Sequence, residues 1–207
     1  REKRMKRVLI CGEVQMPDGN AQSNRLYGLG RLFNEMNYNV EMLGTAFLGE
    51  GEEYGNKYGI SFSNICVKKR KSRIRRSIDR IAKLKAYLNK ESAFDVIVIS
   101  AGYEDAFYRT IRKYAQVNKS VVIASVCEWY ALHQYGGLVG KWYIFKHRIA
   151  TRFVNRRVGN IIAISHFFEE YYSNKCRCVL IPTVLSVKDY CFHSVTNNEK
   201  LTIVYVG

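Results

Sequence analysis

Four side chains able to hold or polarise a hydroxylated substrate crowd into "CEWYALHQYGG", residues 127–137. Glu128 offers a carboxylate, Trp129 and Tyr130 offer flat apolar faces, and His133 offers an imidazole that titrates near neutral pH. The Gly136–Gly137 pair after them gives the segment a hinge. Packing of Trp129 and Tyr130 and an exposed loop position for His133 stand as the plainer alternative. A second group lies in "PDGNAQSNR", residues 17–25. Glycine lets a backbone approach a ligand closely, so Gly12, Gly19 and Asn20 are expected to border a cleft, although Asp18–Gly19–Asn20 also reads as a turn and helix cap. In "NIIAISHFFEEYY", residues 160–172, Ser165 sits where a helix N-cap belongs, with Glu169 and Glu170 in the first turn. Capping explains that pattern, and so does a helix start that offers free N–H groups to an anion or a sugar hydroxyl.

These groups need strands to carry them. Apolar runs recur as "RVLIC" at 7–11, "NVEML" at 39–43, "ISFSNIC" at 60–66, "DVIVIS", "SVVIASV", "NIIAIS" and "CVLIP". Strands apolar on both faces, alternating with helical patterns, imply a mostly parallel sheet with helices on both faces. The expected class is therefore α/β, doubly wound and Rossmann-like, and in such sheets ligands collect beyond the strands' carboxyl ends. Helical spacing gives three apolar stripes: Leu26, Leu29, Phe33 and Met36; Ile74, Ile78, Ile81, Leu84 and Leu88; and Leu138, Trp142, Phe145, Ile149 and Phe153. Gly28 and Gly30 inside the first helix predict close packing on a strand. No GxGxxG follows the first strand within a few residues, and the loop there runs about eight residues, which argues against a dinucleotide fingerprint.

Composition narrows the partners. The 207 residues carry a net charge of +15, and a charge of that sign attracts phosphate as nucleotide, lipid or nucleic acid. Residues 68–90 hold eleven Lys or Arg against one Asp, and "KWYIFKHRIATRFVNRR" at 141–157 holds six and no acid, interleaved with aromatics. An anionic membrane surface faced by Arg73, Arg76, Arg80, Lys83, Trp142 and Lys146 competes here with a merely solvated face. Nucleic acid is the weaker rival, for no helix-turn-helix, zinc or RNA-binding pattern is present. No apolar stretch approaches the roughly 20 residues that span a bilayer. Six cysteines sit mostly within apolar runs without a CxxC pair or a signal segment ahead of them, so reduced thiols in the cytoplasm are expected. Residues ahead of Met5 are given no function.

The order of these features resembles the N-terminal domain of a GT-B glycosyltransferase of the retaining family 4 group. The long "PDGNAQSNR" loop, "NYNVEMLG", "FDVIVIS", "SVCEWY", "NIIAISHFFEEYY" and "CVLIPT" leading to "LTIVYVG" carry the likeness across almost the whole chain. The resemblance implies an acceptor-holding domain facing a second, donor-holding domain. It places Gly19 and Asn20 near the donor phosphates with Arg25 behind them, and Glu128 and His133 toward the acceptor, with Trp129, Tyr130 and Ser165 as further contacts. It implies a nucleotide-sugar substrate, a glycan or lipid-linked acceptor, and neither metal nor other cofactor, since amides and cations offset the diphosphate charge. Many members carry a histidine soon after the strand that here ends in "SVCEWY", where this chain has Glu128.

The expected organisation is a Rossmann-like domain at 1–184, an interdomain connection at 185–199, and at 200–207 the first strand of a missing donor domain, left to fray or to pair elsewhere. The expectation is the acceptor half of a retaining glycosyltransferase, inactive alone, in the cytoplasm or on the inner face of the membrane. A stand-alone, non-catalytic module that docks on a membrane or a partner is the alternative.

Overall fold

The computed structural model describes residues 5–17, 20–45, 53–65, 73–100, 105–131, 134 and 136–184. Gly19, His133, and the expected connection and final strand at 185–207 lie outside the described residues, as do the side chains of Arg73, Ile74 and Arg76.

The strands are β1 (Arg7–Gly12), β2 (Asn39–Gly44), β3 (Tyr54–Lys57), β4 (Ile60–Asn64), β5 (Val96–Ser100), β6 (Val121–Val126), β7 (Asn160–Ala163) and β8 (Arg177–Leu180). The helices are α1 (Ala21–Glu35), α2 (Arg73–Lys90), α3 (Asp105–Asn118), α4 (Gly137–Ile149), α5 (Asn155–Val158) and α6 (His166–Ser173), with a π-helical stretch Ala150–Val154 joining α4 to α5. One eight-stranded sheet runs in the order β3-β4-β2-β1-β5-β6-β7-β8, parallel throughout except for β3 at its edge. The doubly wound class expected from the sequence is thus observed. Each apolar run became a strand, and the central ones are covered on both faces, whereas β8 at the edge is only partly covered. In β1, Val8 and Ile10 pack beneath α1, while Leu9 and Cys11 pack beneath α2 and α3.

The coverage is unequal. Leu84, Leu88, Phe107, Ile111, Phe168 and Tyr172 bring α2, α3 and α6 onto one face, whereas α1 is the main helical cover of the other. Gly28 lets α1 meet the chain after β8, for a Cβ there would lie 2.5 Å from the Val184 carbonyl oxygen. Gly30 faces Ile10, Met42 and Ile60 at ordinary contact distance. The expected close packing on a strand therefore belongs to Gly30, and Gly28 packs on the segment after β8.

Two of the apolar stripes do not point where the spacing suggested. In α2, Leu84 and Leu88 are buried but Ile78 is exposed. The stripe of Leu138, Trp142, Phe145, Ile149 and Phe153 turns outward, and the opposite side of that helix supplies buried Ile144, Ala150, Thr151 and Asn155. Buried Tyr172 fixes this choice, since its hydroxyl donates to the Thr151 carbonyl at 2.7 Å and accepts from Asn155 at 3.1 Å. Gly159, at φ +80°, then ends α5 in the left-handed conformation that favours glycine.

Candidate functional site

The strand order reverses between β1 and β5, so the crevice at their carboxyl ends is where this architecture receives ligands. The loop leaving β1 there is clamped by the neighbouring strand ends. Thr45 donates its N–H at 2.9 Å and its hydroxyl at 3.1 Å to the Gly12 carbonyl. Asn64, buried, accepts from the Met16 N–H and donates to the Met16 carbonyl, both at 2.8 Å. Gly44 makes room for this, because a Cβ would stand 2.6 Å from the Val14 carbonyl oxygen. Asn20 is the N-cap of α1: its side-chain oxygen accepts from the N–H groups of Gln22 at 2.9 Å and Ser23 at 3.0 Å, and Ser23 returns the bond to complete a capping box. The Gln22 amide reaches the Ser100 hydroxyl at the end of β5. Those donors serve the chain itself, so a ligand here would rely on other groups.

Arg25 is such a group. It is 3% exposed, and its guanidinium makes a single hydrogen bond, to the Ile181 carbonyl at 3.0 Å. Among the described residues its Nε and Nη1 have no partner and no carboxylate pairs with it. Burial draws the guanidinium down from its ordinary value, opposed only by the Cys127 thiol. That thiol is itself pushed up to about 11 by burial and by Glu128, with Arg25 pulling the other way. Cys127, at the end of β6, thus feels both Arg25 and Glu128.

Beyond β6 the chain builds a polar cluster on Glu128, which is exposed as expected of a ligand-facing position. The Tyr130 hydroxyl donates to the Glu128 carboxylate. Burial and that bond both raise the phenol well above its usual range, so it stays protonated and remains a donor. His147 Nε2 lies 3.1 Å from the Glu128 carbonyl, and its ring crosses Tyr130 edge-on at 4.5 Å. A carbonyl only accepts, so the His147 proton sits on Nε2, and burial holds the imidazole below its ordinary value despite the bond. The imidazole found beside Glu128 is therefore His147, which sequence reasoning passed over. Trp129 turns to α6, meeting Phe167 at 5.2 Å and Tyr171 at 5.5 Å, so its packing role is realised while part of the ring stays open. Ser165 precedes α6 as expected, yet its side chain makes no capping bond.

Among the residues expected to face a membrane, Arg80 does not reach a surface. It is 5% exposed and pairs with Glu13, just past β1, at 2.6 Å. Glu13 draws it inward, to the rim of the crevice. Lys83 is half-buried, and Trp142 and Lys146 are exposed.

No family model matches the chain, and no curated protein matches its sequence. Solved structures do match in fold. Sucrose-phosphate synthase from Thermosynechococcus elongatus is 11% identical with a TM-score of 0.58, over 86% of this chain and 48% of that one. LpCGTa in complex with UDP is 8% identical with a TM-score of 0.57, over 89% of this chain and 54% of that one. The UDP-GlcNAc 2-epimerase from Methanocaldococcus jannaschii is 10% identical with a TM-score of 0.50, over 85% of this chain and 45% of that one. The chain spans about half the length of each of these. At such identities the likeness shows the fold, a Rossmann-like α/β unit of the kind GT-B glycosyltransferases contain.

The rim thus offers an exposed carboxylate steadied by a phenol, a neutral imidazole and a partly open indole, and beneath it lies a buried cation with two N–H donors unpartnered among the described residues. Such a set can hold an anion beside a hydroxylated molecule.

Proposed function

We propose that this chain is the N-terminal, acceptor-side half of a retaining GT-B glycosyltransferase of the family 4 type, moving a sugar from a nucleotide diphosphate to a polysaccharide or lipid-linked acceptor. The observation that carries the proposal is Arg25, buried at the ligand-receiving end of the sheet with two N–H donors that have no partner among the described residues. An unpaired buried charge is costly, and an incoming phosphate is the partner that would repay it. In this reading Arg25 stabilises the departing diphosphate, with the backbone of Gly19 and Asn20 bordering it, and the cation does there what a metal would otherwise do. Glu128, held by Tyr130, orients an acceptor hydroxyl. His147 and His133 border the same segment, Trp129 gives the sugar an apolar face, and Ser165 offers a hydroxyl. In this reading residues 185–199 serve as the connection to a donor-binding half and 200–207 as its first strand, and sugar transfer needs both halves.

Two assays test the reading. Incubated with UDP-sugars, the 207-residue chain should release no UDP and bind donor only weakly; measurable transfer or tight binding would contradict the half-enzyme assignment. In a longer protein that contains this chain and transfers sugar, Glu128→Gln should lower kcat by about 100-fold or more. Unchanged turnover would reduce the Glu128 cluster to packing.

A further inference from the structure

Water, rather than protein, faces the apolar stripe on α4. Leu138, Trp142, Phe145, Ile149 and Phe153 are between 40% and 87% exposed. Their spacing of four, three, four and four residues keeps them on one side of the helix. Trp142 and Phe145 stack with ring centroids 5.6 Å apart, so the surface is continuous. The opposite side of the helix is the packed one, with Ile144 fully buried. A contiguous apolar surface of this kind marks contact with something outside the chain.

The charges around the stripe identify that contact. From Gly137 to Val158 the chain has six Lys or Arg and no Asp or Glu. At 100° per residue along α4, Lys141 borders one side of the stripe and Lys146 the other, and both are exposed. Aromatics flanked by cations on flexible stems fit the headgroup layer of an anionic bilayer, where the rings enter and the stems reach back to phosphate. Six cations without an acid call for an anionic partner surface, and nucleic acid would make no use of Leu138 or Ile149.

We propose that α4 docks this chain on an anionic lipid surface, lying in the interface with the Leu138–Phe153 stripe turned toward the lipid. The opposite side of the same helix carries His147 to Glu128 and Tyr143 to Tyr130, rings 5.6 Å apart. Docking therefore holds the candidate site about one helix diameter, ~10 Å, from the headgroups. A lipid-linked acceptor would be presented there, a step that rests on the glycosyltransferase reading; the docking does not.

The chain has two tryptophans, so Trp129→Phe leaves Trp142 as the sole indole reporter. With vesicles of phosphatidylcholine and phosphatidylglycerol, Trp142 emission should shift to the blue, be quenched by brominated lipid, and recover on adding salt. Vesicles of phosphatidylcholine alone should give little change. Lys141→Gln and Lys146→Gln should each weaken partitioning roughly fivefold. Leu138→Ser with Trp142→Ser and Phe145→Ser should abolish cosedimentation of the otherwise wild-type chain while leaving its thermal midpoint unchanged. Equal partitioning onto neutral and anionic vesicles, or full binding by the triple serine variant, would overturn the proposal. A dimer that forms without lipid and is lost in that variant would give the stripe to a second copy and overturn it too.

Discussion

The two ends of the sheet treat an arginine in opposite ways, one half-buried and one buried. At the amino-terminal end Arg7 meets Glu41, Glu91 at 3.3 Å and the Ser92 carbonyl, and it lies 4.6 Å over the Phe94 ring. Its backbone N–H goes to Asp95 at 2.8 Å, so β1, β2 and the start of β5 are tied through one residue. At the carboxyl-terminal end Arg25 is more deeply buried and receives one carbonyl. Arg80 stands between the two, with one half-exposed carboxylate, Glu13, and an unpaired Nε. The same side chain is a strand clamp at one end and an unspent donor at the other. Stability is concentrated where ligands do not come, and binding capacity where they do.

The largest effect that would sharpen this contrast is Arg7→Met. It leaves Glu41 and Glu91 close together without their cation and should cost about 3 kcal/mol, read as a lower midpoint in urea with an unchanged slope. A loss under about 0.5 kcal/mol would class the pair with ordinary surface bridges and erase the contrast.

A smaller effect concerns acid. Burial depresses His147, so between its folded value and the ordinary value near 6.5 the unfolded chain binds more protons, and stability rises with pH there. Acidification from neutrality should therefore loosen the carboxyl-terminal end. The ring is partly open to solvent, so the discounted effect is under about 1 kcal/mol. It should vanish in His147→Gln. A pH profile identical in wild type and variant would mean that His147 titrates alike folded and unfolded.

The contrast was only half legible in the chain. Seven apolar runs marked seven strands because both faces of a parallel strand must be apolar to be covered. β3 was missed: Tyr54–Lys57 has no apolar run, and its signal lay in the turn, where Tyr58 at φ 51° and Gly59 at φ 79° close a hairpin onto β4. The α4 stripe showed its period correctly, but a period cannot say whether the face meets a core or a bilayer. The polar cluster after β6 was legible in part, for Glu128 and Tyr130 are neighbours in sequence. His147 was not, because it reaches Glu128 across 19 residues through the return of α4. Arg80 looked like one more cation in a basic run, and only its pairing with Glu13, far away in the chain, turns it inward.

The central claim is that Arg25 is held for a ligand rather than for the fold. Arg25→Met keeps the length and apolar character of the side chain while removing a charge that, among the described residues, no carboxylate balances. Thermal unfolding of that variant, beside wild type and Arg7→Met, tests the claim without any ligand. The account predicts a midpoint equal to or above wild type, since replacing an unbalanced buried charge with an apolar chain is neutral or stabilising. A fall of about 6 °C or more, on the scale of ~2–4 °C per kcal/mol for a chain this size, would show Arg25 to be a structural residue and contradict it.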